Sequence, residues 1–130
     1  MPEMSAVAKQ ILAASVERPL SMAPRDVVWE LVDILGVSLV AAIGHVKNTR
    51  TVRHWMGGEK QPEKIDCLRL ALQVALFMQA AGESKDVVNA WMRGMNLRLD
   101  DEAPAIVIAD QPLDVARRDV MAAARAFLAQ

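Results

Sequence analysis

Apolar residues recur at three- and four-residue spacing along most of this chain, and strict alternation is nearly absent. Val28, Leu31, Val32 and Leu35 mark a first amphipathic helix over Arg25 to Leu35, ended by Gly36 in the manner of a glycine just past a helix terminus. Ser38 is placed to cap a short helix, Leu39 to Ile43, stopped by Gly44. Asn48 or Thr49 can cap the next, which reaches Met56 before Gly57-Gly58. Ile65 to Ala80 carries apolar residues on several faces, the pattern of a helix buried on all sides in a core or an oligomer interface. Ser84 caps Lys85 to Arg93, with Val87, Val88, Trp91 and Met92 inward. Pro104 stands at the first position of a short helix to Ala109. Leu113 to Leu128 places Leu113, Ala116, Val120, Ala124 and Phe127 on one stripe. At the start, Ser5 to Val16 forms a helix with Val7, Ile11, Leu12 and Val16 on one side. The segment Glu17-Arg18-Pro19 is expected to break it, leaving Pro19 to Pro24 as a linker.

Composition sharpens this into an all-α fold. The chain has 130 residues, enough for one core without metal or disulfide staples, and 53% of them are hydrophobic, with Ala, Val, Leu and Met prominent and Tyr absent. The single cysteine, Cys67, precludes an internal disulfide and fits a reducing compartment. No signal peptide is read at the N-terminus, and the longest apolar run, Val74 to Met78, falls far short of the ~20 residues that span a bilayer. A soluble, cytoplasmic protein is expected, with no membrane partner.

Net charge is −1, so any nucleic-acid surface must be a local basic patch. Such a patch exists. Between His45 and Lys64 there are five basic residues (Lys47, Arg50, Arg53, Lys60 and Lys64) against two acidic ones, Glu59 and Glu63. The same stretch has the layout of a helix-turn-helix. Leu39 and Ile43 supply the apolar side of the supporting helix, Gly44 the tight turn, and Val52 with Trp55 the anchors of the second helix. Lys47, Asn48, Thr49, Arg50, Arg53 and His54 are left as the DNA-binding candidates, residue types that reach base edges and phosphates from the major groove. The competing reading is a solvated charged face on an ordinary helical packing unit. One such unit contacts few phosphates, so a dimer on paired half-sites is expected.

Catalysis is not expected. Cys67 lies on the most apolar helix, His45 and His54 have no further ligands at metal spacing, and no glycine-rich phosphate loop is present. No cofactor and no metal are called for.

The run Thr51-Val-Arg-His-Trp-Met-Gly-Gly, with Pro62 and then Leu68-Arg-Leu-Ala, resembles Xre-type antitoxins of the MbcA/ParS group. Ala90-Trp91-Met92, Met95-Asn96-Leu97, Ala103-Pro104-Ala105 and Asp110 are similar to the signature of that family's toxin-binding domain. The likeness runs from about Asp26 to Phe127. Two features depart from it: Gln111-Pro112 stands where the family commonly has glycine, and the chain ends Arg125-Ala-Phe-Leu-Ala-Gln rather than in a glycine-aromatic tail. The resemblance implies an antitoxin of a type II toxin-antitoxin system that forms a homodimer, autorepresses its operon by binding operator DNA, and neutralises a RES-domain, NAD-consuming toxin encoded by an adjacent gene. The chain then divides into an N-terminal arm and linker (1–24), which has no clear counterpart in that family, a helix-turn-helix unit (25–64) and a dimerisation and toxin-binding domain (65–130). Asn96, Arg98, Asp100, Asp101, Glu102, Asp110 and Arg125 become the toxin-binding candidates. The three adjacent carboxylates are suited to basic residues around a dinucleotide site, although acids before a helix are also favoured by its dipole. The alternative function is a free-standing helix-turn-helix regulator whose C-terminal half dimerises.

Overall fold

The computed structural model describes residues 6–130, and all the regular structure among them is helical. The helices are α1 (Ala6–Ser21), α2 (Pro24–Leu35), α3 (Val37–Ile43), α4 (Thr49–Met56), α5 (Ile65–Ala80), α6 (Lys85–Arg93), α7 (Pro104–Asp110) and α8 (Leu113–Leu128), with a 3₁₀ turn at Leu97–Leu99. No helix among the described residues is long and apolar enough to cross a membrane.

α5 is the axis of the molecule. Its apolar residues occupy every face, and it buries Leu68, Leu70, Ala71, Leu72, Gln73, Val74, Ala75 and Met78 against α1, α2, α3, α6, α7 and α8. Burying a side chain of the size of Leu contributes roughly 1.5–3 kcal/mol, so this helix organises the fold. One cluster of buried side chains runs from Val27 on α2 to Ala124 on α8 and passes across the expected boundary at residues 64 and 65.

Two local expectations need correction. Helix α1 does not break at Glu17-Arg18-Pro19; it continues to Ser21 with Pro19 inside it. Proline there forfeits only one backbone bond near the helix end. The end of the helix is held from α5: the Arg69 guanidinium donates to the carbonyls of Pro19 and Met22, and Gln73 adds a bond to that of Val16. Residues 17–21 are therefore helix rather than break or linker, with Pro19 alone of them buried, and only Met22 and Ala23 separate α1 from α2. Of the expected first helix, Ser5 and the Ile11 side chain lie outside the described residues.

Helix α3 begins two residues earlier than expected, so Ser38 lies inside it and is not its cap. Gly36, at φ 83°, ends α2 and starts α3 in one step, a conformation that side chains other than glycine rarely adopt. The last carbonyls of α2 are then satisfied from α6. Asn89 donates to Ile34 and Leu35, and Arg93 donates to Leu35.

Candidate nucleic-acid interface and partner surface

Helix α4 starts at Asn48, which has extended backbone and whose side chain accepts from the Arg50 N–H at 2.8 Å. Val52 and Trp55 are buried at 0% and 3% exposure and seat the helix on α2 and α3. Gly44 acts here by size rather than by backbone freedom: its φ is −82°, and the left-handed residue of the turn is His45, at φ 60°. A Cβ at Gly44 would lie 2.7 Å from the Trp55 ring, so its absence makes room for the indole. At the far end, Trp29 on α2 donates from its indole N–H to the Met56 carbonyl at 2.9 Å.

With α4 held at both ends, its other face is turned to solvent. Lys47, Asn48, Arg50 and Arg53 are exposed, and Thr49 and His54 half-exposed. Arg53 donates to Thr49 Oγ1 at 3.3 Å, and His54 lies 3.9 Å from the Glu59 carboxylate. The side chains of Lys47 and Arg50 have no partner among the described residues. The six candidates thus share one surface. Lys60 and Lys64 add positive charge beside it, lining with His45, Thr51 and the acidic Glu63 a cavity of ≈ 290 Å³.

The seven partner-binding candidates do not form one patch. Asn96 to Glu102 make a closed loop built around Asn96. Its side chain accepts from the Arg98 N–H at 3.0 Å, its carbonyl accepts from Leu99 and Asp101, and its N–H donates to the Glu102 carbonyl. Asn96 is therefore a brace, as well as a partly exposed polar group. Asp100 and Asp101 take left-handed backbone at φ 54° and 66°, and Arg98, Asp100, Asp101 and Glu102 are exposed. Asp110 lies at the opposite end of α7. There His45 Nε2 hydrogen-bonds the Ala109 carbonyl and stands 3.9 Å from the Asp110 carboxylate. Arg125 lies on yet another side, where α8 faces α1 and α5.

The loop also shows two residues to which the sequence reading gave no surface role. Met95 and Leu97 are 84% and 89% exposed, the most exposed large apolar side chains among the described residues. They flank a groove of ≈ 470 Å³ with Trp91 and Phe127, whose rings meet at 6.3 Å with a 48° tilt. The available signal was the alternation Leu97-Arg98-Leu99. Only one leucine of such a pair faces the core, and Leu99 takes that place.

Cys67 is half-buried, and burial pushes its thiol above the usual range. No group of three or more His, Cys, Asp or Glu placed to hold a metal ion occurs among the described residues. Comparison with protein-family models, curated proteins and solved structures finds no match to this chain.

Proposed function

We propose that this chain is a DNA-binding protein of the helix-turn-helix kind that also grips a protein partner, acting as the antitoxin of a type II toxin-antitoxin system. The observation that carries the DNA-binding half is the solvent-facing side of α4. Asn48, Thr49, Arg50, Arg53 and His54 stand together there on a helix fixed by Val52, Trp55 and the Trp29 hydrogen bond. Its arginines and polar side chains match the chemistry of phosphates and base edges in a major groove. A homodimer on paired half-sites of the chain's own operator is the expected assembly.

The partner half of the proposal rests on the sequence resemblance and on one physical feature, the exposure of Met95 and Leu97 beside the carboxylates of Asp100, Asp101 and Glu102. Two large apolar side chains beside the Trp91–Phe127 groove are the kind of surface that a protein partner would cover. The partner is a RES-domain toxin that consumes NAD, neutralised by direct binding in the cytoplasm. The chain itself is a binding protein and not an enzyme.

The test is co-expression with the product of the neighbouring gene, reading growth, cellular NAD and co-purification, followed by gel shift on the upstream DNA. Rescue of a toxic, NAD-depleting neighbour with a stable complex supports the antitoxin. Absence of toxicity and of a complex, with retained DNA binding, replaces it by the free-standing regulator. Deletion of α8 does not separate the two activities, because Ala116, Val120, Met121, Ala123 and Ala124 belong to the common core. Point substitutions on each surface are required.

A further inference from the structure

Arg125 stands apart from the loop, and its surroundings are distinctive. From α8, Arg117, Arg118, Met121 and Arg125 meet Val16 of α1 and Gln73 of α5 around a cleft of ≈ 250 Å³. Three of these six residues are arginines and none is acidic. At its base Gln73 is 1% exposed, and its amide is locked: Nε2 donates to the Val16 carbonyl at 2.7 Å, which leaves Oε1 to accept from Arg117. Arg117 is thereby fixed through one nitrogen, with its remaining N–H groups uncommitted among the described residues. Arg125 has no hydrogen bond or ion pair among them. Arg118 uses its Nε for Asp119 at 3.0 Å and keeps its two terminal nitrogens.

Arg118 is compensated by Asp119, with which it pairs, and by the nearby charge of Asp114, so the positive charge left without a counterion among the described residues is that of Arg117 and Arg125. An anion in the cleft would supply that counterion. Guanidinium forks match the oxygens of carboxylates and phosphates in pairs. A single carboxylate has two oxygens and one charge, enough for one fork. A terminal phosphate carries about −1.5 to −2 charge and three acceptor oxygens, enough to match the charge of both Arg117 and Arg125.

We infer that the cleft between α1, α5 and α8 binds the phosphate group of a small phosphorylated ligand. This site is separate from the α4 face and from the Asn96–Glu102 loop, and the inference does not depend on the antitoxin reading.

The test is calorimetric titration of the full chain with sodium pyrophosphate at fixed ionic strength, beside Arg125→Ala, Arg125→Lys and, as a control on the other surface, Arg50→Ala. Arg125 and Arg50 are exposed, so these variants keep the core. Saturable binding is expected. Arg125→Ala should weaken it about tenfold or more, Arg125→Lys less because an ammonium keeps the charge but not the fork, and Arg50→Ala hardly at all. Absence of saturation by about 10 mM, or an equal loss with Arg50→Ala, overturns the inference, since the second outcome is unspecific attraction of an anion. Two further arms identify the source of the phosphate. If Arg125→Ala impairs binding to a DNA duplex, or to vesicles containing phosphatidic acid, while wild-type protein ignores pyrophosphate, the cleft serves a polymer backbone or a membrane and the small-ligand inference fails.

Discussion

Helix α4 and the loop after α6 begin in the same way and end in opposite ones. Each opens on an asparagine with extended backbone whose side chain accepts the N–H two residues on, from Arg50 in one case and Arg98 in the other. After Asn48 the chain runs for two turns as α4, hides Val52 and Trp55, and shows water a polar, basic face. After Asn96 it makes a single 3₁₀ turn, hides Leu99 alone, and shows water Leu97 and three carboxylates, with Met95 exposed just before the cap. The cap is common to both, so it starts a helix without deciding its length. What decides is the next apolar residue at helical spacing. Val52 is followed by Trp55 three positions on, whereas Leu99 is followed by Asp100 and Asp101, which turn left-handed. One segment became a rigid rod with a polar outside, the other a tight loop with an apolar outside.

The largest effect expected from this comparison is on stability. Trp55→Ala removes the anchor that fills the space at Gly44 and should cost about 3–5 kcal/mol, as large core truncations do. Leu97→Ala, at 89% exposure, should stay within about 0.5 kcal/mol of wild type. Urea denaturation of both variants measures the contrast. A loss of more than about 2 kcal/mol for Leu97→Ala would mean that Leu97 packs inside the protein and presents no docking surface.

Next in size are effects on binding. Arg50→Ala and Arg53→Ala should each weaken operator binding by about 1–3 kcal/mol if they read a base, with loss of discrimination at that position. If they hold phosphates, affinity falls uniformly and the salt dependence flattens by about one unit of slope per residue. Gel shifts across a salt series distinguish the two roles. Unchanged DNA affinity in the double variant would leave α4 as an ordinary solvated helix.

The same contrast marks what the sequence made legible. The bounds of α5 and α8 are as expected from periodicity, Lys64-Ile65 and Pro112-Leu113 being sharp onsets of apolar spacing. The shared surface of Lys47 to His54 was legible too, because Val52 and Trp55 fix which side of a two-turn helix faces out. The continuation of α1 through Pro19 was not, since the groups that support it, Arg69 and Gln73, lie 50 and more residues away in sequence. Nor was the scattering of Asp110 and Arg125. Their distance from Asn96 depends on how α7 and α8 pack, and local spacing carries no record of that. Gly44 was legible as a necessary glycine but with the wrong cause, because the crowding ring belongs to a residue eleven positions later.

Equal caps should cost equally. Asn48→Ala and Asn96→Ala each remove one side-chain acceptor and should destabilise by about 1 kcal/mol. Their functional consequences should separate: Asn48→Ala frays the turn that presents Thr49 and Arg50 and lowers DNA affinity, and Asn96→Ala loosens the turn that presents Leu97 and lowers partner affinity. Thermal melts with both binding assays check this. A variant that weakens both bindings alike would show that the continuous core transmits disorder between the two surfaces.

The smallest effect tests why the loop stops where it does. At φ 66°, Asp101 occupies a conformation that costs L-residues about 1–2 kcal/mol, and less for aspartate than for most. Asp101→Gly removes that cost but enlarges the freedom of the unfolded chain, so a net gain of only about 0.5 kcal/mol is expected. The carboxylate also precedes the Ala103 N-cap of α7 and lies outside its first turn, so the preference of the helix dipole for negative charge contributes at most about 0.3 kcal/mol and leaves a small net gain. Asp101→Asn separates the two contributions, because asparagine tolerates the left-handed backbone and carries no charge. If glycine is more stable than both aspartate and asparagine in thermal melts, backbone strain governs the turn, and the acidic residue stands there at some expense in stability, as a residue kept for binding would. If asparagine and glycine are equally destabilised relative to aspartate, the charge is stabilising α7, and the acidic turn is explained by the fold alone.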